Sequence, residues 1–140
     1  MVDMFEGFLG NRAVTELLTD EAGQPSHAYL FVGPGSVGKA TAARHFAATL
    51  LCDDDDVSCR RRVIGATHPD LVLIEPEGRA SITVDQARRA VSQASLAPME
   101  GNRKLFLFEE GGMMNDEADN ALLKTLEEPS ESTIFVVVTE

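Results

Sequence analysis

Gly33, Pro34, Gly35, Ser36, Val37, Gly38 and Lys39 have the spacing of a phosphate-binding loop: a glycine, four residues, then Gly-Lys. They directly follow the apolar run Tyr29-Leu30-Phe31-Val32. Glycines let the backbone wrap so that successive N–H groups face phosphate oxygens. The lysine adds a mobile positive charge, and a helix starting there directs its N-terminal dipole at the anion. A Ser or Thr after the lysine would hold Mg²⁺ through its hydroxyl, but this chain has Ala40. Thr41 comes one place late, about 100° further around a helix, and is expected to point elsewhere. The stretch therefore predicts a nucleotide-binding site in which magnesium binding is impaired.

A second set of chemical groups stands at Glu109 and Glu110, after the apolar run Leu105-Phe106-Leu107-Phe108. In phosphoryl-transfer sites of this kind one carboxylate holds Mg²⁺ and the next polarises the attacking water. Glu109 is one methylene longer than the usual Asp, and magnesium demands near-ideal octahedral geometry. Glu109 and Glu110 are thus candidate catalytic residues of a degenerate pair, and a solvated acidic strand end is the plainer alternative. No competent hydrolysis is expected from them.

The elements that would carry these groups can be read from patterning. Residues 1–28 form a lead-in, where Asn11 can cap a short helix with Val14, Leu17 and Leu18 on one stripe, ending near Gly23 to Pro25. Tyr29–Val32, Leu71–Ile74, Leu105–Phe108 and Ile134–Val138 are too uniformly apolar for half-solvated strands and predict strands covered on both faces. Ala43, Phe46, Ala47, Leu50 and Leu51 recur at helical spacing, as do Val84, Ala87, Val91 and Ala94 after a capping box of Thr83 and Gln86. Asn115 can cap a last helix carrying Ala118, Ala121, Leu122 and Thr125, stopped by Pro129. Residues 52–69 read as a polar, charged connection. Strands alternating with helices predict an α/β fold, a parallel sheet with helices on both faces, over residues 1–140. Ligands of open parallel sheets bind at the carboxyl ends of the strands, where the loop, Glu109, Glu110 and Thr139 would all lie.

Composition sets outer bounds. The chain has 140 residues, 44% of them hydrophobic and 25% charged, as a globular domain does. No run approaches the ~20 apolar residues that cross a bilayer, and the N-terminus has no signal-peptide pattern, so the cytoplasm is the expected location and no membrane partner is expected. The net charge of −11 argues against this segment gripping DNA by itself, because phosphate contacts need clustered Lys and Arg. The basic cluster Arg60-Arg61-Arg62 is expected to be a solvated loop beside Asp53–Asp56. Cys52 and Cys59 are expected to be loop thiols rather than a disulfide framework. With His68 they fall short of the four ligands of structural zinc, so no metal is assigned. His27 and His45 are expected to be structural.

Several stretches together resemble bacterial clamp-loader subunits: His27-Ala28-Tyr29-Leu30-Phe31, Leu51-Cys52, and Thr67-His68-Pro69-Asp70. The most specific is Asn120-Ala121-Leu122-Leu123-Lys124-Thr125-Leu126-Glu127-Glu128-Pro129, which is similar to the helix after the Walker B strand in gamma/tau and delta prime subunits of DNA polymerase III. The resemblance runs over nearly the whole chain. It implies a P-loop domain of the AAA+ type within the assembly that opens the sliding clamp and closes it on primed DNA, a component of a DNA-directed DNA polymerase (nucleotidyltransferase) holoenzyme. ATP is the implied nucleotide. Lys39 matches the Walker A lysine, Glu109 and Glu110 match Walker B, and Thr139 matches the sensor 1 position that senses the γ-phosphate. Implied partners are the delta and gamma/tau subunits of a hetero-oligomer, with the sliding clamp and primed DNA reached through the assembly.

Departures from the pattern choose among subunits. In this family the hydrolysing gamma/tau subunits keep Ser or Thr after the Walker lysine and Asp-Glu in Walker B. Ala40, Glu109 and Thr139-Glu140 instead fit delta prime, a rigid partner with weak or absent hydrolysis of its own. Residues 52–69 look like a degenerate form of the family's four-cysteine zinc module. Cys52 and Cys59 correspond to its outer pair and the middle two are missing, so zinc is not carried over. The family's Ser-Arg-Cys finger motif, lid and collar lie beyond sensor 1, and the chain is expected to be the N-terminal piece of a longer protein, truncated after the fourth strand. The competing expectation is an active gamma/tau-type ATPase. An unrelated P-loop domain such as a small-molecule kinase would need an Arg-rich lid and a phosphoacceptor pocket, which nothing in the sequence signals.

Overall fold

The computed structural model describes residues 28–32, 38–75, 82–94, 96–109 and 132–139. Four strands, β1 (Ala28–Val32), β2 (Leu71–Ile74), β3 (Lys104–Phe108) and β4 (Thr133–Thr139), form one sheet in the order β1-β4-β3-β2. Every neighbouring pair is parallel. The helices between them are α1 (Lys39–Leu51), α2 (Val57–Ile64) and α3 (Val84–Ala94). All four expected strands and both expected helices of the described stretches are present, and each strand matches its expected bounds to within a residue at either end. The expected helices near residues 14–18 and 115–129 lie outside the described residues.

Side chains alternate across a strand, and the register sorts them into two unlike faces. On one face Leu105, Leu107, Ile134, Val136, Val138 and Leu71 pack against Ala43, Phe46, Ala47 and Leu50 of α1 and Val63 of α2. On the other, Phe106, Phe108, Phe135 and Ile74 pack against Ala87, Ala90 and Ala94 of α3. Phe106 stacks on Phe135 with ring centroids 5.1 Å apart. Alanines let α3 lie close over these rings, so bulky residues on the sheet meet small ones on the helix. The first face places its one large helical ring, Phe46, edge-on to Tyr29 at 4.9 Å. Helices therefore cover both faces, as buried parallel strands require.

The capping box forms as expected. The Gln86 N–H donates to Thr83 Oγ1 at 3.2 Å, and the Thr83 N–H donates to Gln86 Oε1 at 3.1 Å. Gln86 also donates through Nε2 to the Glu75 carbonyl, which ties the start of α3 to the end of β2.

Residues 52–69 correct the expectation of an irregular connection, because α2 occupies most of it. Asp56 caps the helix by accepting from the Cys59 N–H at 3.0 Å, and Arg61 and Arg62 sit in its last turn, where the dipole favours cations. The basic cluster is consequently helical rather than a solvated loop. Arg62 pairs with Glu100 at 3.0 Å, and Arg60 donates to Thr49 Oγ1 at 3.2 Å. Among the described residues no buried side-chain nitrogen or oxygen lacks a partner. No described helix is long and apolar enough to cross a membrane.

Candidate functional site

The carboxyl ends of the strands bring together most of the expected nucleotide-site residues that the structure describes. Val32, the last residue of β1, pairs in register with Thr139, the last of β4, while Phe108 at the end of β3 pairs with Val137. The chain returns from the loop at Gly38, whose φ of 77° and ψ of 27° are left-handed. A side chain is disfavoured there, which is the physical reason for a glycine immediately before the lysine. Gly38 is the N-cap of α1 and offers no side chain to cap it, and the first turn contains no acidic residue. Lys39 opens the helix and is half-buried, Ala40 follows, and Thr41 is exposed. Gly33, Pro34, Gly35, Ser36, Val37 and Glu110 lie outside the described residues, as does the stretch Asn120–Pro129.

Glu109 has a partner that sequence reasoning missed. Arg44, on α1, donates from Nε to Glu109 Oε1 and from Nη2 to Oε2 at 3.1 Å, a bidentate fork. Its remaining nitrogen, Nη1, donates to the Ile64 carbonyl at the end of α2 at 3.0 Å. Side-chain exposures of 27% for Arg44 and 15% for Glu109 make the pair partly desolvated. The Arg44 pKa is raised from its ordinary value, first by the hydrogen bonds to Glu109, against the opposing effect of burial, and further by the charges of Glu109 and Glu75. The expectation of a solvated acidic strand end is thus corrected at Glu109. The described residues do not fit Mg²⁺, since Ala40 supplies no side-chain oxygen and both Glu109 oxygens are engaged by a guanidinium.

A second cluster lies at the opposite, amino edge of the sheet. Cys52 and Cys59 form a disulfide, with Cα atoms 5.8 Å apart, where free loop thiols were expected. The cause is α2: it folds back over the end of α1 and delivers Cys59 to Cys52. His68 is buried and offers a ring nitrogen, and its ligand atom and the two sulfurs all lie within 4.8 Å of one another. These residues line a cleft of about 480 Å³ together with Arg62, Glu100 and Arg103. The donor set does not fit zinc: two sulfurs bonded to each other are not thiolates, and His68 is already engaged on both nitrogens. His68 Nδ1 accepts from the Asp70 N–H at 3.0 Å, and Nε2 lies 3.2 Å from Glu100.

Asp70 completes that edge as a buried carboxylate. It accepts from the N–H groups of Met99, Glu100 and Gly101, the last two at 2.9 Å. Its own carbonyl accepts from the Leu105 N–H at 2.9 Å. His68 and Asp70 therefore pin the start of β2 to the loop that leads into β3. Sequence reasoning had them only as part of a resembling motif. A His-x-Asp pair directly before an apolar run was the signal available in the sequence.

A family model described as DNA polymerase III, delta subunit, matches residues 11–140. The chain is 40% identical over 124 residues to DNA polymerase III subunit delta' of Pseudomonas aeruginosa, covering 82% of this chain and 38% of that protein. It is 35% identical over 142 residues to DNA polymerase III subunit tau of Bacillus subtilis, covering 96% of this chain and 25% of the relative. A solved structure of a DNA polymerase III gamma subunit-related protein from Thermotoga maritima matches with a TM-score of 0.69 at 23% identity, covering 89% of this chain and 38% of that one. That likeness establishes the fold alone, a parallel α/β sheet with helices. The chain spans well under half the length of these curated relatives. With the model matching from residue 11 to residue 140, the chain belongs to this DNA polymerase III clamp-loader subunit family.

Proposed function

We propose that the chain is the N-terminal P-loop region of a delta prime subunit, taking part in ATP-driven loading of the sliding clamp on primed DNA while hydrolysing little or no ATP itself. The observation that carries this is Ala40 in the first turn of α1, a methyl group where the metal-holding hydroxyl belongs. The engagement of Glu109 by Arg44 supports the same reading from the other half of the site. Gly38 in its left-handed conformation and Lys39 at the helix start remain suited to phosphate, so ATP would be held there without a catalytic magnesium. The proposed partners are the delta and gamma/tau subunits in the cytoplasm. The net charge of −11 makes the assembly, rather than this region, the part that meets DNA.

The competing reading is an active gamma/tau-type ATPase, which the 96% span of the tau alignment favours. ATP turnover by the full-length protein in Mg²⁺, beside Lys39→Ala and Ala40→Thr, separates the two. Delta prime predicts no turnover and stronger magnesium-dependent nucleotide binding in Ala40→Thr. Turnover at ~1 s⁻¹ or faster, the low end of typical enzymes, abolished by Lys39→Ala, would establish the ATPase instead.

A further inference from the structure

We propose that Arg44 is a built-in counter-cation for Glu109, whose guanidinium takes the place of a divalent ion at the end of β3 and keeps such an ion out. The inference deepens the reading of a site without catalytic magnesium, and rests on it only in taking Glu109 as the strand-end acid.

Three elements converge to make the arrangement. Arg44 projects from α1, Glu109 follows β3, and the Ile64 carbonyl closes α2. A planar guanidinium matches a carboxylate with two parallel N–H donors, and here the third nitrogen is anchored on backbone, so the fork is held from both sides. The pair is partly shielded from water, where opposite charges attract more strongly than at an open surface. Glu75, just past β2, adds a second negative charge within electrostatic reach of Arg44. An incoming divalent cation would have to break both bonds to Glu109 and approach a fixed positive charge. It would gain no hydroxyl ligand from Ala40. The extra methylene of Glu109 thus acquires a purpose: it carries the carboxylate to Arg44 on the helix.

The test uses Mn²⁺ alone as the probe, titrated into the full-length protein and followed by electron paramagnetic resonance. No nucleotide is present, so the result is independent of whether the protein turns over ATP. Wild type is expected to show no Mn²⁺ site that depends on Glu109. Arg44→Gln should bind Mn²⁺ at least about tenfold more tightly, and the double variant Arg44→Gln with Glu109→Gln should lose that gain. Arg44→Lys keeps a cation beside Glu109 and should stay close to wild type. Equal Mn²⁺ binding by wild type and Arg44→Gln overturns the proposal, as does Arg44→Lys binding Mn²⁺ as tightly as Arg44→Gln. Should Arg44→Gln not fold, the Nε–H resonance of Arg44 in the wild-type protein decides. The proposal expects it unchanged at millimolar Mg²⁺, and its loss on adding Mg²⁺ refutes the proposal.

Discussion

The Gly101 N–H donates to the carboxylate of Asp70 at 2.9 Å, thirty-one positions along the chain, and fastens the approach to β3 onto the approach to β2. Two neighbouring donors, Met99 and Glu100, converge on the same side chain, so one carboxylate organises a whole turn. Asp70→Asn keeps the shape but presents an amide NH₂ to groups that are themselves donors. We expect it to lower stability by about 1–3 kcal/mol at neutral pH, the usual cost of leaving a buried polar group unpaired, measured by denaturant unfolding.

The same residue sets an acid response. Burial by itself raises the Asp70 pKa, but the three backbone donors, together with the charge of His68, outweigh it and hold the group below the ordinary carboxylate value. A depressed folded-state pKa contributes stability that is fully present above the unfolded value of about 3.9 and is lost as pH falls through the folded value. The stability difference between wild type and Asp70→Asn should therefore be constant from neutral pH down to about that value and shrink below it. A difference that held constant into strong acid would contradict the hydrogen bonding described.

Closing the short loop between Cys52 and Cys59 stabilises the fold by about 2–3 kcal/mol on chain-entropy grounds. Denatured, unreduced protein should give no titratable thiol from these two positions. Reductant, or Cys52→Ser, should lower the melting temperature and loosen α2 first, since the bond joins that helix to the end of α1. Hydrogen exchange at Cys59 to Val63 reads out that local effect.

Gly38→Ala would force a side chain into a left-handed backbone, at a cost of roughly 1–2 kcal/mol. We expect a loss of thermal stability of that order, together with weaker binding of any phosphate ligand, because the residue is the N-cap of α1. Thr41→Ala, at an exposed position in the same first turn, is the comparison that should leave stability nearly unchanged.

The strands were legible because each reads as an unbroken apolar run, as in Leu105–Phe108, which is buried at every position and so covered on both faces. The start of α3 was legible because Thr83 and Gln86 announce it through a local hydrogen-bond exchange. Helix α2 was not read, since only Cys59 and Val63 of it are buried and its three arginines imitate a loop. Its signals were present at the ends: Asp56 as cap, Arg61 and Arg62 in the last turn, Gly65 beyond. At the site, Gly38, Lys39 and Ala40 could be placed from spacing alone. The pairing of Arg44 with Glu109 could not, because it joins residues sixty-five positions apart through tertiary packing.

The order β1-β4-β3-β2 has a consequence for how the molecule is made. β2 can pair with β3 once α3 and β3 have been synthesised, whereas Ala28 must wait for Phe135, 107 positions further along the chain. Among the described strands β4 is the only partner of β1, and it slots in last, between two strands already present. On the ribosome, β1 is therefore the earliest of the described strands to emerge and the latest to be paired. Contacts so remote in sequence slow folding and leave an apolar strand open to wrong partners meanwhile. The nascent chain is most vulnerable to aggregation in the interval before residue 139 leaves the exit tunnel.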